Sequence, residues 1–128
     1  MNRKQLILGF WDVVIAQKAD SIRSFFLPDV TIRWHNTNEQ FSVEEFIVAN
    51  CEYPDCWEGK VERIEVVAED LVISVTRVWP VGRQNESHHA VSFFQLSGGK
   101  ILCLDEYWGE DGPAPQWRQA KQIGKPIL

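Results

Sequence analysis

Apolar and polar residues change their spacing several times along the chain, and each change marks an element. Over residues 3–19 the apolar positions recur at helical intervals, with Leu6, Phe10, Val13 and Val14 on one stripe and Ile7 and Trp11 beside it. Asp20-Ser21 offers an N-cap for a short helix from Ile22 to Leu27, which Pro28 stops. Asp29 then opens a strand in which Val30, Ile32 and Trp34 alternate with Thr31 and Arg33. Residues 35–40 are polar and turn-like. Ser42 followed by Glu45 is a capping box, and it predicts a helix through about Asn50 with Val43, Phe46 and Ile47 on its apolar side. Residues 51–59 form a loop with Pro54 and Gly59. Strands are predicted at 60–68 and 71–79, turning at Glu69-Asp70.

Two further strands run from Glu86 to Trp108 and meet at Gly98-Gly99. Paired glycines between apolar runs signal a two-residue hairpin turn, because both turn positions need positive φ. An unbroken ladder from that turn pairs Ser97 with Lys100, Phe93 with Leu104, Val91 with Glu106 and His89 with Trp108. One face then carries His89, Val91, Phe93, Leu104, Glu106 and Trp108. The other carries His88, Ala90, Ser92, Phe94, Ile101, Cys103, Asp105 and Tyr107. In the preceding hairpin the same reasoning pairs Glu62 with Arg77 and puts Arg77 and Trp79 at the end of an apolar face.

Helices first and strands afterwards indicate an α+β fold, a curved antiparallel sheet wrapped around the first helix with a pocket at its open end. The length of 128 residues suits one domain over 1–128. Within it, 109–128 is a tail in which Gly112, Pro113, Pro115, Gly124 and Pro126 allow only a short helix, Gln116 to Gln122. Six tryptophans and seven phenylalanines exceed what a core of this size needs, so some are candidates for a pocket wall.

A net charge of −5 without a basic cluster disfavours a nucleic-acid partner. No apolar run approaches the roughly 20 residues that cross a membrane. The opening stretch reads as a first helix and not as a signal peptide, which implies a cytoplasmic protein. Cys51, Cys56 and Cys103 are an odd number without a CxxC, so neither a disulfide framework nor a metal site is expected, and no cofactor motif is present.

The order of elements resembles the NTF2-like superfamily, and its SnoaL-like branch in particular. The first helix, the FFLPDVTIRW passage, the capped SVEEF helix and the closing GGKILCLDEYW carry the resemblance. It implies an α+β cone with an internal pocket, and a homodimer through the outer face of the sheet. It does not imply an activity, since the superfamily holds isomerases, cyclases, hydrolases, dehydratases and non-enzymatic binders. By the resemblance, the ketosteroid isomerase base, tyrosine and aspartate positions fall on Trp34, Phe10 and Val91; Trp has only an N–H donor and Phe and Val have nothing to transfer, so that chemistry is excluded.

The remaining candidates are weighed residue by residue. His89 and Glu106 are diagonal neighbours on the predicted hairpin face, about 7–8 Å apart at the backbone. They are read either as an acid/base pair sharing a proton or as an ion pair that satisfies two polar groups. Trp11, Trp34, Trp57, Trp79 and Trp108, with Phe93 and Leu104, are the candidate walls for an aromatic or polycyclic ligand. For Trp11 a core role is favoured. His35 faces either the pocket or solvent, depending on one residue of register. Arg77 either binds a ligand carboxylate or pairs with Glu62. Trp117 is the expected anchor if the tail folds back over the pocket or onto a partner. The function expected is binding of a small hydrophobic or aromatic molecule, with cofactor-independent catalysis of cyclase, isomerase or dehydratase type by His89 and Glu106. The alternative is a non-catalytic binding or accessory module.

Overall fold

The computed structural model describes residues 2–128. Helix α1 spans Arg3–Ile15 and starts at an Asn2 capping box closed by Gln5. It is a turn shorter than its apolar stripe predicts, because Gln17 takes a left-handed φ of 56° and turns the chain away. Helix α2 is Ala19–Arg23, earlier than the expected position. Strand β1, Phe26–Trp34, includes Pro28, and its pairing with the last strand is irregular there, between Phe26 and Thr31. The polar stretch after it holds a short strand, β2, Glu39–Phe41, that its composition concealed. Helix α3, Val43–Cys51, has the predicted Ser42/Glu45 capping box.

Strands β3 (Trp57–Ala68), β4 (Leu71–Pro80), β5 (His88–Ser97) and β6 (Lys100–Glu110) follow, then a five-residue helix α4, Gln116–Ala120. The six strands form one sheet in the order β2-β1-β6-β5-β4-β3. It is mixed and not wholly antiparallel, since β1 runs parallel to β6. The sheet curves without closing, and the fold class is the expected α+β. Among the described residues, no helix is long and apolar enough to cross a membrane.

Phe10 of α1 is the hub of the core. Its ring packs edge-on against Trp11, Phe26 and Phe94 and lies nearly parallel to Phe46. Close crossing of α1 over β3 depends on Gly59. A Cβ there would sit 2.7 Å from Ile15 Cδ1 and 2.9 Å from the Arg77 carbonyl.

The Gly98-Gly99 turn has both φ values positive, 57° and 77°, and Ser97 pairs with Lys100 as expected. Two steps on, the ladder departs from the expected one. The register shifts between Gln95 and Leu96, so Gln95 opposes Cys103 and not Leu102. One extra residue in one strand reverses which side chains share a face. Val91 therefore pairs with Tyr107, and His89 with Gly109. The inner face carries His88, Ala90, Ser92 and Phe94 with Leu104, Glu106 and Trp108. The outer face carries His89, Val91 and Phe93 with Cys103, Asp105 and Tyr107.

Hairpin β3-β4 contains two such shifts. Arg77 consequently opposes Lys60 and not Glu62, and it lies with Trp79 on the outer face.

Candidate functional site

The inner face of the sheet places four polar or amphipathic side chains in one cross-strand row. Ser74 of β4 pairs with Ser92 of β5, Ser92 with Glu106 of β6, and Glu106 with Trp34 of β1. Neighbouring strands lie about 4.8 Å apart, so the residues flanking Glu106 can both reach its carboxyl group. The Ser92 hydroxyl donates to Oε2 at 2.5 Å, and the Trp34 indole N–H donates to Oε1 at 3.1 Å. Glu106 is 6% exposed and has no cationic partner among the described residues. Burial pushes its pKa up, because an uncompensated charge is costly away from water, and the two hydrogen bonds only partly offset this.

Glu106 forms part of the wall of a cavity of about 160 Å³ at the end of the sheet remote from Gly98-Gly99. Trp11 and Val14 of α1, Phe46 of α3, Trp34, Trp57 and Trp108 are among the other residues of the wall. The rim is held by side chains bonded to backbone. Gln17 Nε2 donates to the Asn50 and Tyr53 carbonyls at 2.9 and 3.1 Å, and Asn50 Nδ2 donates to the Val14 carbonyl at 3.0 Å. The ends of α1 and α3 are thereby clasped together. Asn36 holds Trp108 in place, accepting from its backbone N–H at 2.8 Å and donating to its carbonyl.

The expected His89–Glu106 pair does not form, because the β5-β6 bulge sends the two side chains to opposite faces. His89 lies outside, with Nδ1 2.5 Å from Asp111 Oδ1 and Nε2 2.8 Å from Glu62 Oε1. Its pKa is raised, first by the Asp111 hydrogen bond and further by Glu62, against a smaller opposing effect of burial. The neighbouring His88 enters the cavity wall in its place. His88 is four residues from Ser92, about 13 Å along the strand, so it does not touch the Glu106 carboxyl directly.

Other expected contacts are also relocated. His35 points outward, stacked on Tyr107 at 4.3 Å with Nε2 2.7 Å from Asp105. Arg77 lies over Trp79 at 4.8 Å and donates to Ser87, away from the cavity. Phe93 is on the outer face, and Leu104 is fully buried in the core row of Val72, Phe94 and Ile32. Trp117 is 60% exposed and is not part of the cavity wall. Trp34, Trp57, Trp108 and Glu106 line the cavity. Trp11 does double duty, buried at 5% with its indole N–H on Ser74 Oγ at 3.1 Å and one side on the cavity. His88, Ser92 and Tyr53 were missed. Alternation along β5 grouped His88 and Ser92 correctly with each other, but only the bulge decides that their common face is the inner one.

Neither protein-family models nor curated protein sequences match this chain. Solved structures do. The chain matches an NTF2-like protein of unknown function from Burkholderia xenovorans LB400 with a TM-score of 0.77 at 18% identity, covering 98% of this chain and 94% of that one. The fold is NTF2-like. A candidate ketosteroid isomerase from Kribbella flavida DSM 17836 gives the same TM-score of 0.77 at 18% identity over 96% of this chain and 89% of that one. A candidate SnoaL-like polyketide cyclase from Jannaschia sp. CCS1 gives 0.66 at 19% identity over 82% and 83%. At such identities the likeness establishes the NTF2-like architecture and leaves the chemistry to the side chains.

Proposed function

We propose that this NTF2-like chain binds one small, flat, largely apolar molecule in the cavity, with Glu106 as its polar contact. The observation that carries this reading is a cavity of about 160 Å³ walled by indole rings, with one buried carboxyl group. An engineered apolar cavity of about 150 Å³ takes up benzene, so this volume suits a single ring and not the polycyclic ligand that the tryptophan count suggests. Titration with toluene, indole and phenol, followed by tryptophan fluorescence and thermal shift, tests it. A saturable response that Trp108→Ala abolishes is expected. Saturation at 100 times Kd stabilises the fold by about 2.7 kcal/mol. No saturable response to any of the three at millimolar concentration refutes it.

A second reading, general acid/base catalysis of isomerase, cyclase or dehydratase type, is favoured by the raised pKa of Glu106, which is the property a proton-transfer group needs. With a turned-over substrate, Glu106→Gln would lower kcat with binding retained.

A homodimer through the outer sheet face belongs to the same proposal. Phe93 and Tyr107 stay 37% and 45% exposed at its centre, edge-to-face with centroids 6.0 Å apart. Solvent-exposed apolar surface of this kind suits a second subunit. Phe93→Asp should convert the dimer to a monomer in sedimentation; a wild-type monomer at micromolar concentration would exclude it.

A further inference from the structure

We infer that the cavity selects a cationic ligand, a small protonated or quaternary amine whose positive head sits against Glu106 among the indole faces. The inference rests on the cavity-binding reading above and names the ligand class for it.

The hydrogen-bonding groups of the wall point to this class. Three of its four indole N–H groups, all but that of Trp108, are consumed inside the protein. Trp34 Nε1 is on Glu106, Trp11 Nε1 on Ser74 and Trp57 Nε1 on the Pro54 carbonyl. Gln17 spends its amide nitrogen on the Asn50 and Tyr53 carbonyls, and Asn50 directs its own to Val14. The two amides thus have their oxygens left to offer. Glu106 has two acceptor positions occupied, one on each oxygen, of the roughly four a carboxylate presents. The wall thus offers more open acceptors than indole donors, which favours a ligand that brings donors of its own.

Charge and π-electron distribution agree. Among the described residues, no lysine or arginine lines the cavity. The ring faces of Trp34, Trp57 and Trp108 carry the negative side of the aromatic quadrupole and attract a cation within about 6 Å. An anionic ligand would meet Glu106, the same ring faces and a chain of net charge −5.

Burial favours the neutral acid when the cavity is empty. A cation supplies the missing counter-charge, so its binding favours the ionised form of Glu106. By linkage, acid must weaken the binding in turn. The other ionisable side chains of the wall are His88 on β5 and Tyr53 in the loop after α3. His88 lies 3.8 Å from Glu110, and Tyr53 is half exposed. Neither touches the Glu106 carboxyl, whose partners are Ser92 and Trp34.

The test uses the full chain and three probes that share one ring: benzylamine, benzyl alcohol and benzoate. Calorimetric titration near pH 8 should place benzylamine at least about tenfold tighter than benzyl alcohol, a factor equivalent to one pKa unit, with benzoate weakest. Benzyl alcohol or benzoate binding as tightly as benzylamine overturns the inference while the cavity reading stands. If none of the three binds, both fall together. Tetramethylammonium, whose charge does not titrate, supplies a readout that needs no variant. With glutamate labelled at the δ-carbon, saturating tetramethylammonium should lower the apparent Glu106 pKa by about one unit for each tenfold preference for the ionised form. An unchanged Glu106 titration overturns the inference even if the cation binds.

Discussion

Glu106→Gln should stabilise the protein, and the gain should grow with pH. Glutamine keeps the size and planarity of the side chain. Its amide oxygen still accepts from Trp34 Nε1, and the Ser92 hydroxyl can turn to accept from the new NH2. No buried group is orphaned, so in acid, where Glu106 is itself neutral, the two proteins should differ by no more than roughly 1 kcal/mol. The sign at higher pH follows from the raised pKa. An unfolded glutamate loses its proton near 4.5, whereas folded Glu106 holds it to higher pH. Between those two values the folded state binds the extra proton. Wild-type stability therefore falls by about 1.4 kcal/mol for each pH unit and levels off above the folded value. Glutamine does not titrate, and every other ionisable group is common to both proteins and cancels in the difference. Urea denaturation of both chains at pH intervals from about 4 to about 9 measures this difference directly. A difference that stays flat, or one that turns in favour of the wild type as pH rises, would refute an uncompensated buried carboxyl group at this position.

Trp34→Phe keeps a ring beside Glu106 but removes one of its two donors, so the Glu106 titration should move higher still, read from the δ-carbon shift. His89→Gln should show a pH dependence of the same sign as Glu106→Gln, but from the other side of zero, with the variant the less stable protein in acid. The raised His89 pKa means that its ties to Asp111 and Glu62 contribute fully below the unfolded value of about 6.5 and fade as pH rises through the folded one. The wild-type advantage in thermal unfolding should therefore be largest in mild acid, and an advantage that increases with pH would contradict the contact. Gly59→Ala should cost about 1–3 kcal/mol, or roughly 4 °C in Tm for each kcal/mol. The gain from a stiffer unfolded chain is smaller, and the Arg77 backbone oxygen at 2.9 Å cannot move aside as a side-chain tip could. A Tm unchanged or raised would show that β4 and α1 do not approach Gly59 so closely.

Much of this architecture could be read from the residues alone, but not evenly. The capping box at Ser42 and Glu45, the apolar stripe of α1 and the turns at Glu69-Asp70 and Gly98-Gly99 are local signals, and each element stands near its predicted place. Strand β2 was hidden because Glu39–Phe41 gains its structure by pairing with β1, not from its own composition. Of the aromatic residues expected at the pocket, Trp11, Trp34, Trp57 and Trp108 line the cavity, whereas Trp79 and Phe93 lie on the outer face, because strand register and not residue type decides the side.

Sequence by itself determined which residues of each strand travel together: Val91 with His89 and Phe93, Glu106 with Leu104 and Trp108. That alternation is a property of a single strand's backbone. Tertiary structure alone decided which group on β5 meets which group on β6. Cross-strand register accumulates from the turn outward, and the bulge between Gln95 and Leu96 shifts every later pair by one residue. A bulge has no dependable local signature, being stable only because packing on both faces repays one unpaired residue. It turned an anticipated His89–Glu106 pair into two separate features. Outside, a histidine is tied to carboxylates; inside, a carboxyl group stands among indoles with no cation of the protein's own.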